Sequence, residues 1–410
     1  MEPLEPHNLL SLVEDIRNAA VEETSSCRSS QSHSRLLSLI DQLRLAVETP
    51  SETVLRLIYQ PPQNAALRTA IDLGIFDHLV GRGRRRISAS ELSAHTNAER
   101  GLIVRVMRVV IALGLCANPE PEVYQSNSKT FMMTEPIGRD GVRCIYDLTM
   151  PTLARLPEYF REHQYTIPKE YSQSPMFWAV GQSQFEWLAQ RRHQQVLFNS
   201  YMSSRREGKP AWFDVYPLDQ LAMPPLTDKD SVFLVDVGGN QGHDLIRFHN
   251  QHPDTPGRLI LQDLPSVVAG HASESSIEAM AYSFLDPQPV KGARTYYFRA
   301  IFHDWPDHIC HQILQNTVSA MDAHSRIIIV DFVLPDTEAP LLQSSLDIQM
   351  MSIGSGAERS KRQWTEMLHA AGLEIRGIWC SSPGMESVIE AAPMQQTSKS
   401  VGLNGARAIR

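Results

Sequence analysis

The chain lacks long apolar runs: no stretch approaches the roughly 20 consecutive apolar residues that a membrane-spanning helix needs. Its first five residues, Met1-Glu2-Pro3-Leu4-Glu5, are acidic and do not lead into an apolar segment, so the sequence predicts no signal peptide. We therefore expect a cytoplasmic protein with no membrane partner.

Cysteine is also scarce, and no two cysteines form a CxxC pair. Five occur among 410 residues, at Cys27, Cys116, Cys144, Cys310 and Cys380. An odd and scattered set favours reduced thiols over a disulfide framework.

Positive charge is in deficit, with a formal net charge of −8. Nucleic-acid phosphates are bound by clustered Lys and Arg, so this balance argues against a nucleic-acid partner. A hydrophobic content of 42% and a charged content of 20% are typical of a soluble globular protein. A length of 410 residues exceeds what one core usually serves and predicts more than one domain.

The clearest local pattern is an apolar run that ends at Asp236. A glycine turn, Gly238-Gly239-Asn240-Gln241-Gly242, follows, and a helix is predicted from Asp244. Strand, glycine turn and helix form the first half of a nucleotide-binding βαβ unit, although a tight turn without a ligand has the same pattern. A second predicted strand, residues 258–262, ends at Asp263, where a carboxylate can accept both hydroxyls of a ribose.

This unit opens an α/β region that we place at residues 231–392. Its predicted strands are residues 232–237, 259–262, 296–298, 327–330, 374–379 and 386–390. The last two flank a turn at 381–384 and are predicted to pair antiparallel at the sheet edge. The polar tail, residues 393–410, is predicted to be disordered.

The N-terminal part reads as helical. Residues 1–60 carry leucines at helical spacing, which fits either contact with a partner or packing on the same chain. Residues 61–140 predict three helices: 65–79 with an interruption at Gly74, one that begins at Ser88 or Ser90, and 103–113. A strand at 123–125, a turn and the apolar residues 131–134 then complete a small hairpin.

Three helices with a hairpin form a winged-helix arrangement, which often binds DNA. The third predicted helix offers only Arg105 and Arg108 among apolar residues, and a helix that is apolar on most faces is buried rather than laid on phosphates. We therefore favour a structural role for this domain.

The following region, residues 141–230, is rich in aromatic residues and methionine, and we interpret it as a helical linker that forms a substrate pocket. Most of these side chains can equally belong to a core. The candidate substrate contacts are His163, Phe177, Trp178, Met202 and, further along the chain, Met350 and Met351.

The position of one histidine, His303, suits a catalytic role. His303 follows the predicted strand 296–298, at the edge where open α/β sheets bind ligands. Asp331 follows the next strand, and Glu358 comes later. A histidine with two acids fits a general base oriented by carboxylates, whereas a helix cap at Asp331 and an ion pair between Glu358 and Arg359 are the structural alternatives.

The residues that follow His303 in the sequence also include possible metal ligands. His308 and His311 lie three residues apart on a predicted helix, close to His303 and Asp307. No cysteine or further histidine completes a closed ligand set, so we expect no metal.

Taken together, these motifs resemble a known family. The series is Asp236-Val237-Gly238-Gly239-x-x-Gly242, Gln262-Asp263-Leu264-Pro265, His303-Asp304-Trp305-x-Asp307, Glu358-Arg359-Ser360 and Trp364. Over about residues 60–392 the chain resembles the S-adenosylmethionine-dependent small-molecule O-methyltransferases, of the caffeic-acid type of plants and their fungal secondary-metabolite relatives.

The resemblance implies an α/β fold with a Rossmann-like class I methyltransferase sheet and an N-terminal winged-helix domain that forms a homodimer. It implies a base at His303, braced by Asp331 and Glu358. The implied contacts to S-adenosylmethionine are Asp236, Gly238, Gly239, Gly242, Asp263, Leu264, Ser283, Phe284 and Arg299. Two positions depart from the family pattern: Asn240 replaces a glycine, and Ser283 stands where relatives usually carry Asp near the adenine.

The expected reaction is methyl transfer to a phenol or enol oxygen of an aromatic, polyketide- or alkaloid-like secondary metabolite. An alternative activity on the same fold is a dehydration or pericyclic cyclisation, in which the sulfonium of the cofactor acts only as a fixed positive charge. A third class, a regulatory protein that binds duplex DNA, rests on the winged helix alone.

Overall fold

The fold is described from a computed structural model, which describes residues 6–24, 29–221, 226, 228, 230–269, 276–382 and 384–394. The tail predicted to be disordered lies outside the described residues from position 395 onwards. Among the helices that the structure describes, none is both long and apolar enough to cross a membrane.

Three helices form an N-terminal extension. They are α1 (Pro6–Thr24), α2 (Ser30–Val47) and α3 (Pro50–Ile58). Ser29 caps α2 and Thr49 caps α3, each through a reciprocal capping box. Helices α1 and α2 pack against each other, whereas α3 has no buried residue at all.

The next domain has its own buried core. Its elements are α4 (Gln60–Asp72), α5 (Ile75–Gly81), β1 (Ile87–Ser88), α6 (Ala89–Thr96), α7 (Arg100–Ala112), β2 (Ala117–Glu120), β3 (Val123–Gln125) and α8 (Ser128–Met132). The apolar face of α7 lies in that core, through Ile103, Val106, Met107 and Val110. The opposite face of α7, which carries Arg105 and Arg108, is exposed.

The predicted interruption at Gly74 is confirmed, because Gly74 adopts a left-handed backbone with φ 63° and separates α4 from α5. The predicted hairpin needs a correction. The hairpin partner of β3 is β2, and not residues 131–134, which lie at the end of α8 and just after it. Ser88 caps α6, as predicted.

A helical region connects this domain to the α/β domain. It contains α9 (Pro136–Cys144), a π-helical turn (Ile145–Thr149), α10 (Met150–Leu153), α11 (Leu156–Glu162), α12 (Pro175–Val180), α13 (Gln184–Ala189), α14 (Arg192–Ser204) and α15 (Trp212–Val215). From α9 to α10 the chain is helical without interruption, so the domain boundary proposed at residue 140 does not coincide with a break in the helix.

The α/β domain is built on a seven-stranded sheet in the order β11-β12-β8-β7-β4-β5-β6. Its strands are β4 (Val232–Val237), β5 (Arg258–Asp263), β6 (Ile277–Ala281), β7 (Thr295–Arg299), β8 (Arg326–Asp331), β11 (Leu373–Cys380) and β12 (Ser387–Pro393). Its helices are α16 (His243–Gln251), α17 (Pro265–Val268), α18 (Asp307–Val318), α19 (Leu341–Gly354) and α20 (Lys361–Ala370). A separate two-residue parallel pair joins β9 (Val333–Leu334) to β10 (Arg359–Ser360).

Six sheet strands predicted from the sequence are confirmed, with ends that differ by at most three residues. The pairs among β4 to β8 are parallel, and β12 pairs antiparallel with both β8 and β11, as predicted for the edge. Edge strand β6 was not predicted. Its segment Ile-Glu-Ala-Met-Ala has few strand-favouring residues, and pairing with β5 gives it an extended conformation.

An aromatic stack ties the helical region to the sheet. The Phe248 ring on α16 is 1% exposed and stacks on Trp212 of α15 at 5.7 Å and on Phe233 of β4 at 6.0 Å between ring centroids. Aromatic pairs of this kind add to the stabilisation from buried area alone.

We expect Phe248→Ala to destabilise the protein by about 3–5 kcal/mol, because it removes a buried ring and leaves a cavity between α15, α16 and the sheet. Thermal unfolding followed by circular dichroism measures this as a lower midpoint. Phe185→Ala is the matched control, since that ring is 54% exposed and its loss should change the midpoint little. Equal midpoints for the two variants would contradict the assignment.

Candidate active site

The site lies where the strand order of the sheet reverses. After β4 the chain continues to β5 on one side, whereas β7 and then β8 lie on the other side of β4. The loops after β4 and β7 therefore leave in opposite directions and open a crevice at the carboxyl ends of the strands. The glycine turn follows β4, and His303 follows β7 on a short 3₁₀ turn, Phe302–Asp304.

The structure brings His303, Asp331 and Glu358 together. Nδ1 of His303 lies 2.8 Å from Oε1 of Glu358 and 3.8 Å from Oδ1 of Asp331. All three residues are buried, with His303 only 8% exposed. The structural alternatives do not occur: Arg359 pairs with Asp307, and Asp331 leads into β9 rather than a helix.

A third carboxylate faces the other side of the imidazole. Oδ1 of Asp304 lies 3.6 Å from Nε2 of His303. Oδ2 of Asp331 and Oε2 of Glu358 are buried and have no hydrogen-bond partner among the described residues. Burial lowers the pKa of an imidazole, but Asp304, Asp331 and Glu358 outweigh it and raise the pKa of His303 to about 10. Burial raises the pKa of Asp331 to about 7, and His303 opposes that shift.

This arrangement has two chemical consequences. Glu358 binds Nδ1 and so leaves Nε2 as the ring nitrogen that can accept a proton, the arrangement that a general base needs. The cluster also has more carboxylates than cations, so it favours a positive charge nearby.

Glycines allow the segment before Glu358 to approach the histidine turn. A Cβ on Gly356 would lie 2.0 Å from the carbonyl oxygen of His303, and the next residue, Ala357, donates its N–H to that oxygen at 3.0 Å. The backbone N–H of Glu358 donates to Oδ1 of Asp347 at 2.8 Å. The sequence analysis missed this role of Gly356, although its place two residues before Glu358 was a signal for it.

The residues expected to bind a nucleoside lie across the crevice. The carboxylate of Asp263 accepts the backbone N–H of Asn240 at 2.8 Å and that of Leu264 at 2.7 Å. These bonds join the ends of β4 and β5 and orient a carboxylate towards ribose-like hydroxyls. Leu264 is 50% exposed beside it.

The glycine turn itself admits no side chain at two positions. A Cβ on Gly238 would lie 2.7 Å from Ile301 and 3.7 Å from Phe284, and one on Gly239 would lie 2.5 Å from Asp236. The backbone of Gly238 therefore lies bare beside Ile301 and Phe284, so a ligand could approach it closely. The residues present fit S-adenosylmethionine, whose ribose hydroxyls Asp263 would hold.

Three other expected cofactor residues lie at the ends of β4 and β6 and at the start of α16. Gly242 begins α16 with φ 72°, and Asp236 is buried at the end of β4, where burial, reinforced by Asp244, raises its pKa to about 8. Ser283 follows β6 and accepts the backbone N–H of Leu285 at 3.3 Å.

Arg299 lies at the end of β7 and is paired with two carboxylates. Its two terminal nitrogens donate to Asp244 at 2.8 Å and to Glu386 at 2.7 Å, and its side chain is 9% exposed. These bonds support the start of α16, and a contact between Arg299 and the cofactor stays a prediction.

The expected substrate contacts are not all brought to the crevice. His163 bonds the carbonyl of Tyr159 and stacks on its ring, and Trp178 donates to Glu162 under Arg155. These contacts are with α11 and with Arg155 just before it, so a substrate contact of either side chain stays a prediction.

The other candidates lie nearer to α19. Met350 is buried in a cluster with Leu148, Met176, Leu188 and Ile353. Met202 and Met351 are half-buried, and so is Phe177, whose N–H is bound by Ser174 at the start of α12. Tyr171, which the sequence analysis missed, packs near Trp305 with 5.6 Å between ring centroids.

The histidines considered for a metal do not converge. His308 lies 3.5 Å from Glu170, His311 bonds Gln315, and Asp307 is held by Arg359. Ligand atoms of His303, Asp331 and Glu358 do lie within 4.8 Å of one another. We interpret that group as a hydrogen-bonded triad, because its shortest contact is the direct bond between Nδ1 and Oε1.

Comparison with known proteins identifies the family. The O-methyltransferase domain model matches residues 161–374, and the O-methyltransferase dimerisation domain model matches residues 60–134. Methyltransferase cfoC of Aspergillus candidus is 33% identical over 386 residues, which cover 93% of this chain and 96% of that protein. O-methyltransferase lepI of Aspergillus flavus is 34% identical over 343 residues, or 82% of this chain and 88% of that one.

Solved structures show the same architecture. A pericyclic reaction enzyme superposes with a TM-score of 0.83 at 30% identity, covering 95% of this chain and 100% of that chain. LepI in complex with SAM gives 0.83 at 29% identity, with 95% and 99% covered. OxaC in complex with sinefungin and meleagrin gives 0.79 at 27% identity, with 95% and 100% covered.

These matches confirm the class I methyltransferase sheet, the helical dimerisation domain and S-adenosylmethionine as the cofactor. The chain therefore belongs to the S-adenosylmethionine-dependent O-methyltransferases of fungal secondary metabolism.

Proposed function

We propose that His303 is the general base with which this O-methyltransferase deprotonates a phenolic or enolic secondary metabolite, polyketide- or alkaloid-like in structure. The observation that carries the proposal is the 2.8 Å contact between Nδ1 of His303 and Glu358, which leaves Nε2 as the ring nitrogen that can accept a proton. The substrate class rests on the family and on the aromatic and methionine side chains between the dimerisation domain and the sheet.

The cofactor supplies an electrophilic methyl group. A phenol has a pKa of about 10 and is a poor nucleophile at neutral pH while it keeps its proton. Nε2 of His303 accepts that proton, and Glu358 stabilises the resulting imidazolium through Nδ1–H. A positioned base of this kind contributes roughly 10²–10⁴-fold in rate.

The carboxylates also set the charge state of the base. In the cofactor-free protein they favour protonated His303 at neutral pH, because they raise its pKa to about 10. A cation held in the crevice opposes that shift and favours the neutral imidazole that a base requires.

We expect His303→Ala to lower turnover at least about a hundredfold, because proton transfer loses its acceptor. Cofactor affinity should stay nearly unchanged, since Asp263 and the glycine turn are untouched. Transfer of label from methyl-labelled cofactor to a candidate phenol measures turnover, and calorimetry measures affinity. His308→Ala, on an exposed histidine nearby, is the control and should keep full activity. Retained turnover in His303→Ala would refute the base.

The pH dependence gives a second test. The rate rises as the base loses its proton, and carboxylates that raise the pKa of His303 place this rise above the ordinary imidazole value of about 6.5. Glu358→Gln keeps an acceptor for Nδ1–H but removes a negative charge, so the rise should move to lower pH while the maximal rate falls. The control is Glu366→Gln, on an exposed ion pair of α20. An unmoved profile in Glu358→Gln would contradict the coupling.

The rival activity is a pericyclic or dehydrative cyclisation with no methyl transfer. It is favoured by the similarity to a pericyclic reaction enzyme, and a cluster of carboxylates with two unpartnered oxygens also suits a sulfonium kept as a fixed charge. The label experiment separates the two: substrate consumed without label in the product supports the cyclase and overturns methyl transfer.

The dimerisation domain supports a homodimer, and we propose that α3 extends its interface. On α3, Val54, Leu57 and Ile58 are 55%, 49% and 56% exposed, and α3 is followed directly by α4 at the start of the matched domain. A dimer would cover this apolar surface.

We expect Leu57→Glu combined with Ile58→Glu to weaken the dimer, because it places charges in an apolar interface. Sedimentation over a range of protein concentrations should show dissociation at concentrations where the unsubstituted protein is dimeric. Thr365→Glu, on an exposed position of α20, is the control and should not change the assembly. Identical sedimentation of all three proteins would exclude α3 from the interface.

A further inference from the structure

Arg359 is a charged residue buried beside the site without lining it. It is 2% exposed, so its guanidinium does not reach solvent or a ligand in the crevice. A buried cation is costly unless it is paired and fully hydrogen-bonded. The hydrogen bonds that this guanidinium donates therefore indicate which segments of the chain it holds in place.

Those bonds go to both ends of the histidine turn. Nη1 donates to the carbonyl of Phe302 at 2.7 Å, and Nη2 donates to the carbonyl of Trp305 at 2.9 Å. These two carbonyls bracket His303 and Asp304. The planar fork of a guanidinium can bind both at once in one fixed geometry.

The same side chain is anchored at the start of α18. Nε and Nη2 donate to Oδ1 of Asp307 at 3.1 and 2.8 Å, and Nη2 also lies 3.3 Å from the sulfur of Cys310. The guanidinium lies 5.8 Å from the centroid of the Trp364 ring. Arg359 is thus fixed to the segment that carries Glu358 while it binds the segment that carries His303.

Gly356 gives an independent indication that these two segments are held in close register. It lies on the other side of Glu358, where a Cβ would lie 2.0 Å from the carbonyl oxygen of His303. Ala357 donates to that oxygen at 3.0 Å. Contacts on both sides of Glu358 therefore tie its backbone to the backbone of the base.

We propose that Arg359 is a positioning residue that sets the hydrogen bond between His303 and Glu358 by clamping the 302–305 turn to the strand β10 segment. The proposal rests on the proposed role of His303 as the base. Arg359 touches neither substrate nor cofactor, and its effect passes through the geometry of the imidazole and the carboxylate.

The test replaces the planar guanidinium of Arg359 by an ammonium group, which carries the same charge on a single nitrogen. Arg359→Lys keeps the charge, but one ammonium cannot span Phe302, Trp305 and Asp307 together, so the turn should loosen. We expect kcat to fall by at least about tenfold, since small misplacements of catalytic groups are costly. The KM for S-adenosylmethionine should change less than about twofold, because Asp263 and the glycine turn are untouched. The rise of rate with pH should move to lower pH as the contact to Glu358 weakens.

Arg362→Lys is the matched control. Arg362 lies three residues further on, its side chain is 68% exposed, and it pairs with Glu366 at 3.3 Å. It should reproduce the kcat and pH profile of the unsubstituted enzyme. Circular dichroism and the thermal midpoint of each variant establish that folded proteins are compared.

A measurement without turnover separates this proposal from the proposed function. Titration of ¹³C-labelled histidine by NMR in the cofactor-free protein reports the pKa of His303, with the signal identified by its loss in His303→Ala. The pKa should be lower in Arg359→Lys than in the unsubstituted protein, whether or not the enzyme transfers methyl groups. If Arg359→Lys does not fold, Asp307→Asn removes the anchor at an 83% exposed side chain and should lower the pKa in the same direction.

An unchanged pKa of His303 in a folded variant overturns the proposal. A loss of kcat with an unmoved pH profile also overturns it, because it would mean that Arg359 supports the fold alone. Failure of the unsubstituted enzyme to transfer label refutes methyl transfer and leaves the NMR result as the test of positioning.

Discussion

The hydrogen bond between His303 and Glu358 is the constraint on which the site depends. Its two residues are 55 positions apart and stand on different segments, the turn after β7 and the approach to β10. An imidazole buried among carboxylates is stable only while charge and hydrogen bonds are matched. Gly356 permits the close approach of the two backbone segments that carry these residues, because it has no Cβ. The guanidinium of Arg359 donates to the carbonyl of Phe302 and so connects the same two segments.

The charge of the cluster bears on both proposed activities. Asp304, Asp331 and Glu358 surround one imidazole, and two of their oxygens are buried without a hydrogen-bond partner among the described residues. Such a cluster carries excess negative charge and attracts positive charge. That property suits a methyl donor and a fixed sulfonium equally, so the cluster by itself does not distinguish methyl transfer from a pericyclic reaction.

Much of the fold was readable from local pattern. The buried apolar strands, the glycine turn and the edge hairpin of β11 and β12 follow from periodicity and turn residues, and the structure confirms them. The predictions were wrong where pairing with another segment of the chain determines the local structure. Strand β6 depends on pairing with β5, and β3 pairs with β2 upstream rather than with residues downstream.

The sequence by itself determined which residue types stand at the ends of the strands, because hydrophobic period and glycine position depend only on neighbours along the chain. That was enough to place Asp263 and His303 at one rim and to recognise the family. Only the tertiary structure decided which acid binds the base, where Arg299 points and what Arg359 holds. Those contacts join residues from separate elements, and the packing of helices and sheet sets their distances.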